Sequence, residues 1–207
     1  MRRLAIALAS LLALPLALAS AGGPPRTGGE LLALVDRASA SAQVRYRVDD
    51  ADWGRFLLVR TVVGGRFLVR AHFAADGEQL WFAGVGRKIT VMCTQAGGPS
   101  SLADCLEIDA RRQQAAQGAL ASIESVLLPS VVRIAFGDEL EHAPLTRQTL
   151  LGRPVSCLHV RTLTTCVDAA GLVLASGIRG GTRADALRVT ARVAAADLAL
   201  PAPPHAG

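Results

Sequence analysis

Four cysteines are the residues of this chain whose type and spacing could do chemistry: Cys93 and Cys105 stand twelve positions apart, Cys157 and Cys166 nine. A thiol can attack, bind metal or oxidise, and the compartment decides among these. In an oxidising compartment an even count at two short spacings reads as two local disulfides, Cys93–Cys105 and Cys157–Cys166. The crossed connectivities would each need long-range pairing. His159 lies two residues from Cys157, on the same face of a strand, which is the competing sign of a metal site. That spacing matches no common zinc pattern. The other histidines, His72, His142 and His205, are dispersed, and no serine sits in a G-x-S-x-G elbow. Asp138-Glu139 with Glu141-His142 reads as a charged loop after a helix. The expectation is a protein that is not an enzyme, with no catalytic residues, no metal and no cofactor.

The compartment follows from the first residues. Met1-Arg2-Arg3 supplies a positive start, Leu4 to Ala19 is almost wholly apolar, and Ala17-Leu18-Ala19 or Ala19-Ser20-Ala21 offers a cleavage site. Residues 1–21 therefore read as a signal peptide. The run is shorter than the ~20 residues of a spanning helix, and Pro15 interrupts it, so no transmembrane segment is expected in the mature chain. No cysteine lies near the cleavage site, which argues against a lipid anchor. The expected location is the periplasm or another extracytoplasmic part of the envelope, or outside the cell. Of 22 basic and 17 acidic side chains, two arginines fall in the leader, leaving a net charge of +3. Lys88 is the one lysine, the arginines are scattered, and no basic run interleaves with aromatics, so nucleic acid is not an expected partner.

The elements that must position the cysteines are mostly strands. Residues 22–29 read as a Gly/Pro linker, 30–200 as one domain, and 201–207 as a disordered tail too Pro-rich to pack. Thr27 and Glu30 stand at capping-box spacing, and Leu31, Leu34, Val35 and Ala38 form the apolar stripe of a first helix. Val44, Tyr46 and Val48 then alternate with Arg45 and Arg47, the period of a half-buried strand. Gly64-Gly65, Asp76-Gly77 and Gly84 through Gly86 break the next stretch into a meander. Within it Phe67, Val69, Ala71 and Phe73 share one face, and Leu80 and Phe82 oppose Gln79, Trp81 and Ala83. Ala116, Leu120, Ile123 and Leu127 recur at helical intervals until Pro129, with a second apolar piece from Val131 to Phe136. That insertion is either a seal on the core or a lid that moves. Strands then return, the last with Leu187, Val189, Ala191 and Val193 expected to face inward. The fold class expected is α+β, an antiparallel sheet without strand-helix-strand alternation.

Asp76-Gly77 leading into Glu78-Gln79-Leu80-Trp81-Phe82, then Leu151-Gly152-Arg153-Pro154, and Cys166-Val167-Asp168-Ala169-Ala170-Gly171-Leu172-Val173-Leu174 resemble the LolA-like superfamily of lipoprotein carriers and related envelope proteins. The order of elements matches across nearly the whole mature chain. The resemblance implies an open half-barrel whose concave face is covered by helices. It also implies a guest, lipid or lipoprotein acyl chains, or alternatively an envelope sensor that binds a partner protein. A greasy cavity would then have Phe67, Val69, Phe73, Leu80 and Phe82 as wall and Leu120, Ile123, Leu127 and Val131 as cover. The chain departs from the family in its two cysteine pairs and in lacking the lipidation cysteine of the mycobacterial branch. The carrier's lid-contacting arginine could fall on Arg60, Arg66 or Arg70.

Overall fold

The computed structural model describes residues 24–37, 40–97, 101–127, 137 and 139–206. The leader 1–21, Pro129 and the apolar piece from Val131 to Phe136 lie outside them. Period-two patterning dominates the rest, and it produces eleven strands. After a helix α1 (Gly28–Arg37) come β1 (Ala42–Asp50), β2 (Gly54–Val63), β3 (Arg66–Phe73), β4 (Gln79–Val85), β5 (Lys88–Gln95) and β6 (Asp104–Glu107). Helix α2 (Gln113–Ile123), a 3-10 turn (Ser125–Leu127) and a short helix α3 (Glu139–His142) follow. The chain ends with β7 (Leu145–Leu150), β8 (Arg153–Val160), β9 (Leu163–Asp168), β10 (Val173–Ile178), β11 (Arg183–Thr190) and a second 3-10 turn (Ala195–Leu198).

All eleven strands join one sheet in the order β6-β5-β4-β3-β2-β1-β11-β10-β9-β8-β7. Two meanders, β1 to β6 and β7 to β11, are therefore joined along β1 and β11, and every pairing is antiparallel. The edges β6 and β7 do not pair with each other, so the sheet is an open half-barrel. The β2–β3 turn needs two residues with positive φ, and Gly64 (56°) and Gly65 (78°) supply them without a Cβ clash.

The expected faces hold in β1, β3 and β4. Tyr46, Phe56, Leu58, Val69 and Phe82 bury their side chains on the inner face, with Leu31 and Leu32 of α1 and Ala116 and Ile123 of α2 in the same cluster. Burying each large apolar side chain contributes about 1.5–3 kcal/mol. Both cysteine pairs form the disulfides that their spacing predicts, and both lie on cross-strand neighbours: Cys93 opposite Cys105, Cys157 opposite Cys166. Each sits in its own small outer cluster, the first with Leu68, Trp81 and Leu198, the second with Val155 and Leu174. The disulfides thus staple the outer side of the sheet near its two ends.

Cys105 lies in the edge strand β6, and three expectations change. The linker ends at Thr27, because α1 already begins at Gly28: Thr27 Oγ1 accepts the Glu30 amide at 3.3 Å, while the Glu30 carboxylate reaches back to the Arg26 amide at 2.6 Å. The described part of the tail, 201–206, does pack, since the edge β6 has free backbone groups for it. The His205 amide donates to the Cys105 carbonyl at 3.0 Å, the Glu107 amide to the His205 carbonyl at 2.9 Å, and His205 pairs with Asp104. In β11 the inward residues are Ala184, Ala186 and Val189. Arg45 faces Arg188 but Tyr46 faces Ala186, so Leu187 is the extra residue of a bulge and is exposed. Ala191 and Val193 follow the end of the strand.

Candidate functional site

The site begins with a glycine. A Cβ on Gly84 would lie 2.7 Å from the ring of Phe67 and 2.0 Å from the Lys88 carbonyl oxygen, at a bulge in the β4–β5 pairing. The bare backbone leaves room for Phe67, its partner across the β3–β4 ladder, to lie against the strand. Phe67 then borders a cavity of about 550 Å³ on the inner face.

Val44, Val62 and Ile89 continue the floor of this cavity, Leu120 and Leu127 form its cover, and Leu172 and Val173 close one side. The last two are held there by a turn. The Asp168 carboxylate, buried, accepts the amides of Ala170 and Leu172 at 2.9 Å each and pairs with Arg153 at 2.6 Å. Two of the segments that carried the family resemblance, at 151–154 and 166–174, are therefore tied by one ion pair.

Polar groups enter the cavity at one place. Tyr46 is buried and donates its hydroxyl to the Val173 carbonyl at 2.8 Å; burial pushes its pKa up, so the phenol stays protonated. Beside it Arg60 of β2 meets Glu124, which follows α2, with Nε to Oε1 at 3.3 Å. Glu124 is 3% exposed and Arg60 41%. Neither of these two atoms has a hydrogen-bond partner, so charge alone joins them. Burial raises the pKa of the Glu124 carboxyl, against the pull of the Arg60 guanidinium. Glu124 is also the joint of the cover: its amide donates to Leu120 O at 2.9 Å, and its carbonyl accepts the Leu127 amide at 2.8 Å. Arg87, Gln117 and Asp36 stand around the same opening, with the Gln117 amide donating to the Arg87 carbonyl at 3.2 Å.

Of the wall and cover residues expected from sequence, Phe67, Leu120 and Leu127 line the cavity. Val69, Phe73, Phe82 and Ile123 are buried on the inner side but packed by their neighbours, and Leu80 packs half-buried against the same cluster. Val131 lies outside the described residues. Among the three arginines considered, Arg60 reaches the cover; Arg70 is on the outer face and Arg66 is exposed beside the β2–β3 turn. His159 is bonded to Thr146 and Thr164 on neighbouring strands, while Cys157 is in its disulfide. Glu139 of the charged 138–142 stretch pairs with Arg161. Among the described residues no group of three or more His, Cys, Asp or Glu is placed to hold a metal ion, and no helix is long and apolar enough to cross a membrane.

No protein-family model matches the chain, and no curated protein sequence does. Among solved structures it is similar to PNGF-II in two crystal forms. In space group C2 the TM-score is 0.31 at 9% identity, over 73% of this chain and 27% of that one. In P21 it is 0.33 at 9% identity, over 81% and 32%. The chain spans about a third of PNGF-II, and at these scores the likeness carries neither fold nor activity.

Proposed function

We propose that this protein is an exported, non-enzymatic binder of one acyl chain or a similarly apolar guest in the cell envelope, held between the inner sheet face and the α2 cover. The observation that carries the reading is the cavity of about 550 Å³ with Phe67, Val62 and Ile89 beneath and Leu120 and Leu127 above. A space of that order suits a single small guest. Each methylene buried there contributes roughly 0.8 kcal/mol, so affinity needs no specific polar contact. The packing of Val69, Phe73 and Phe82 limits the guest to one end of the hollow, which favours one chain over a multiply acylated cargo. That same filled region is what a partner-binding envelope protein on this scaffold would have, and it is the second reading.

Native mass spectrometry of the oxidised protein, with uptake of a fluorescent fatty acid, separates the two. The carrier reading expects a co-purifying mass released by organic solvent and saturable uptake. Leu120→Trp, which places a larger ring over the cavity, should reduce uptake at least tenfold while the melting temperature stays within a few degrees. A guest-free protein with no uptake ends the carrier reading and leaves the partner-binding one.

A further inference from the structure

The opposite face of the sheet holds a second depression, about 340 Å³, on β3, β2, β1 and β11. Arg45, Arg70, Arg188, His72, Gln43 and Thr190 surround it, Leu57 and Val59 floor it, and no carboxylate lines it. The register puts three of these arginines in one row: Arg188 opposite Arg45, Arg45 opposite Val59, Val59 opposite Arg70. Like charges directly opposite on neighbouring strands repel. Two residues along β1, Arg47 faces Asp185 and pairs with it and with Asp49, so the same two strands neutralise one arginine and leave the next pair bare. Neither Arg45 nor Arg188 has an ion-pair or side-chain hydrogen-bond partner among the described residues. Arg70 is held in place, with Nε donating to Gln79 Oε1 at 3.1 Å and its guanidinium 5.5 Å from the centre of the Trp81 ring.

We propose that this row is an oxyanion site for a phosphate group, either free or on a lipid headgroup, separate from the cavity on the inner face. Guanidinium forks match phosphate oxygens in pairs, and a phosphate monoester brings about −1.5 to −2 charges to a site that has positive charge and no counter-charge. Gln43 and Thr190, opposite each other two residues along β1 and β11, add neutral hydrogen-bonding groups beside Arg45 and Arg188. A bound phosphate would relieve the repulsion between those two side chains.

The experiment titrates the disulfide-bonded protein at low salt with inorganic pyrophosphate, and with phosphatidylcholine vesicles with and without phosphatidic acid. It compares Arg45→Gln/Arg188→Gln with Arg147→Gln/Arg179→Gln, which removes the same charge from exposed positions elsewhere. The first variant should bind either probe at least tenfold more weakly, and the second within twofold of the parent protein. Pyrophosphate should raise the melting temperature of the parent and leave that of Arg45→Gln/Arg188→Gln unmoved. Binding of pyrophosphate without vesicles assigns the site to a soluble phosphate compound; vesicle binding that needs phosphatidic acid and is displaced by pyrophosphate assigns it to a headgroup. Equal weakening in both variants, or no binding of either probe, overturns the proposal. Loss of two mutually repelling charges does not threaten folding, so the variant remains a usable reagent.

Discussion

The hollow of the sheet has two covers, and they are built in opposite ways. Helix α1 is capped by Thr27, carries Glu30 in its first turn and Arg37 in its last, and so complements its own dipole at both ends. It lies against α3 and β8, where Leu31, Leu32, Leu140 and Leu158 are fully buried. Helix α2 has no side-chain cap, no acid in its first turn, no base in its last, and Gly118 at its middle. Beneath it is open volume, and at its C-terminal end is a buried carboxylate held by charge alone. The first cover is a permanent part of the core. The second has the uncapped ends and the poorly satisfied contact that a cover able to lift requires.

The largest effect belongs to the first cover. A Cβ on Gly28 would stand 2.3 Å from the Leu140 carbonyl oxygen and 2.8 Å from Leu158, and the Gly28 amide bonds the Ala143 carbonyl at 3.2 Å. Backbone cannot yield as a side-chain tip can, so Gly28→Ala should cost about 3 kcal/mol, the upper end for an overpacked core. Urea denaturation measures it. A cost under about 1 kcal/mol would mean that α1 and α3 slide freely, and the contrast between the covers would fail.

Next comes the ion pair, whose two ends are not equivalent. Removing Arg60 strands a buried carboxylate, whereas removing the Glu124 charge leaves a guanidinium that water already reaches. Arg60→Met should cost about 2 kcal/mol at neutral pH, below the cost for a fully buried pair because Arg60 is partly solvated. Glu124→Gln should cost under about 1 kcal/mol. The pH dependence has a definite sign. Since the folded pKa of Glu124 lies above its ordinary value of 4.5, the folded state retains the proton. The stability this confers is full below that ordinary value and is lost as pH rises through the folded one. Stability measured across that window should fall with pH in the parent and flatten in Glu124→Gln. No slope from this residue would place Glu124 in solvent, and a slope of the opposite sign would mean that the pull of Arg60 outweighs burial.

How much of this could be read from residues alone depends on the range of the interaction. The parity of Phe67, Val69, Phe73, Leu80 and Phe82 was legible because a strand's side chains alternate whatever they touch. Which of them border empty space was not, because that depends on where α2 comes to rest. The Arg60–Glu124 pair joins a strand to a helix end far along the chain, and an arginine in a strand carries no mark of its partner. Leu187 misled because it is the extra residue of a bulge, with Ala184 and Ala186 facing inward before it and Val189 after it, a break in alternation that the sequence pattern does not mark. The 201–206 segment misled because its packing comes from free backbone groups on β6, which composition does not encode. Arg153 and Asp168 were visible as parts of two short motifs, and only the fold joins them.

The smallest effect is the most direct test of whether α2 moves. Nothing lies within 4 Å of a Cβ built on Gly118, and the residue is exposed, so Gly118→Ala meets no steric objection. Ala is favoured over Gly inside a helix by about 1 kcal/mol, and the unfolded chain also loses freedom. The protein should gain up to that amount by urea denaturation. If guests enter by local loosening of α2, the same stiffening should slow uptake of a fluorescent fatty acid about fivefold, while Gly54→Ala at the β1–β2 turn, at the opposite end of β2 from the cavity, leaves the relative rate unchanged. A stabilised protein with an unaltered uptake rate would mean that guests pass the open rim by Arg87 and Gln117 and that α2 is as fixed as α1.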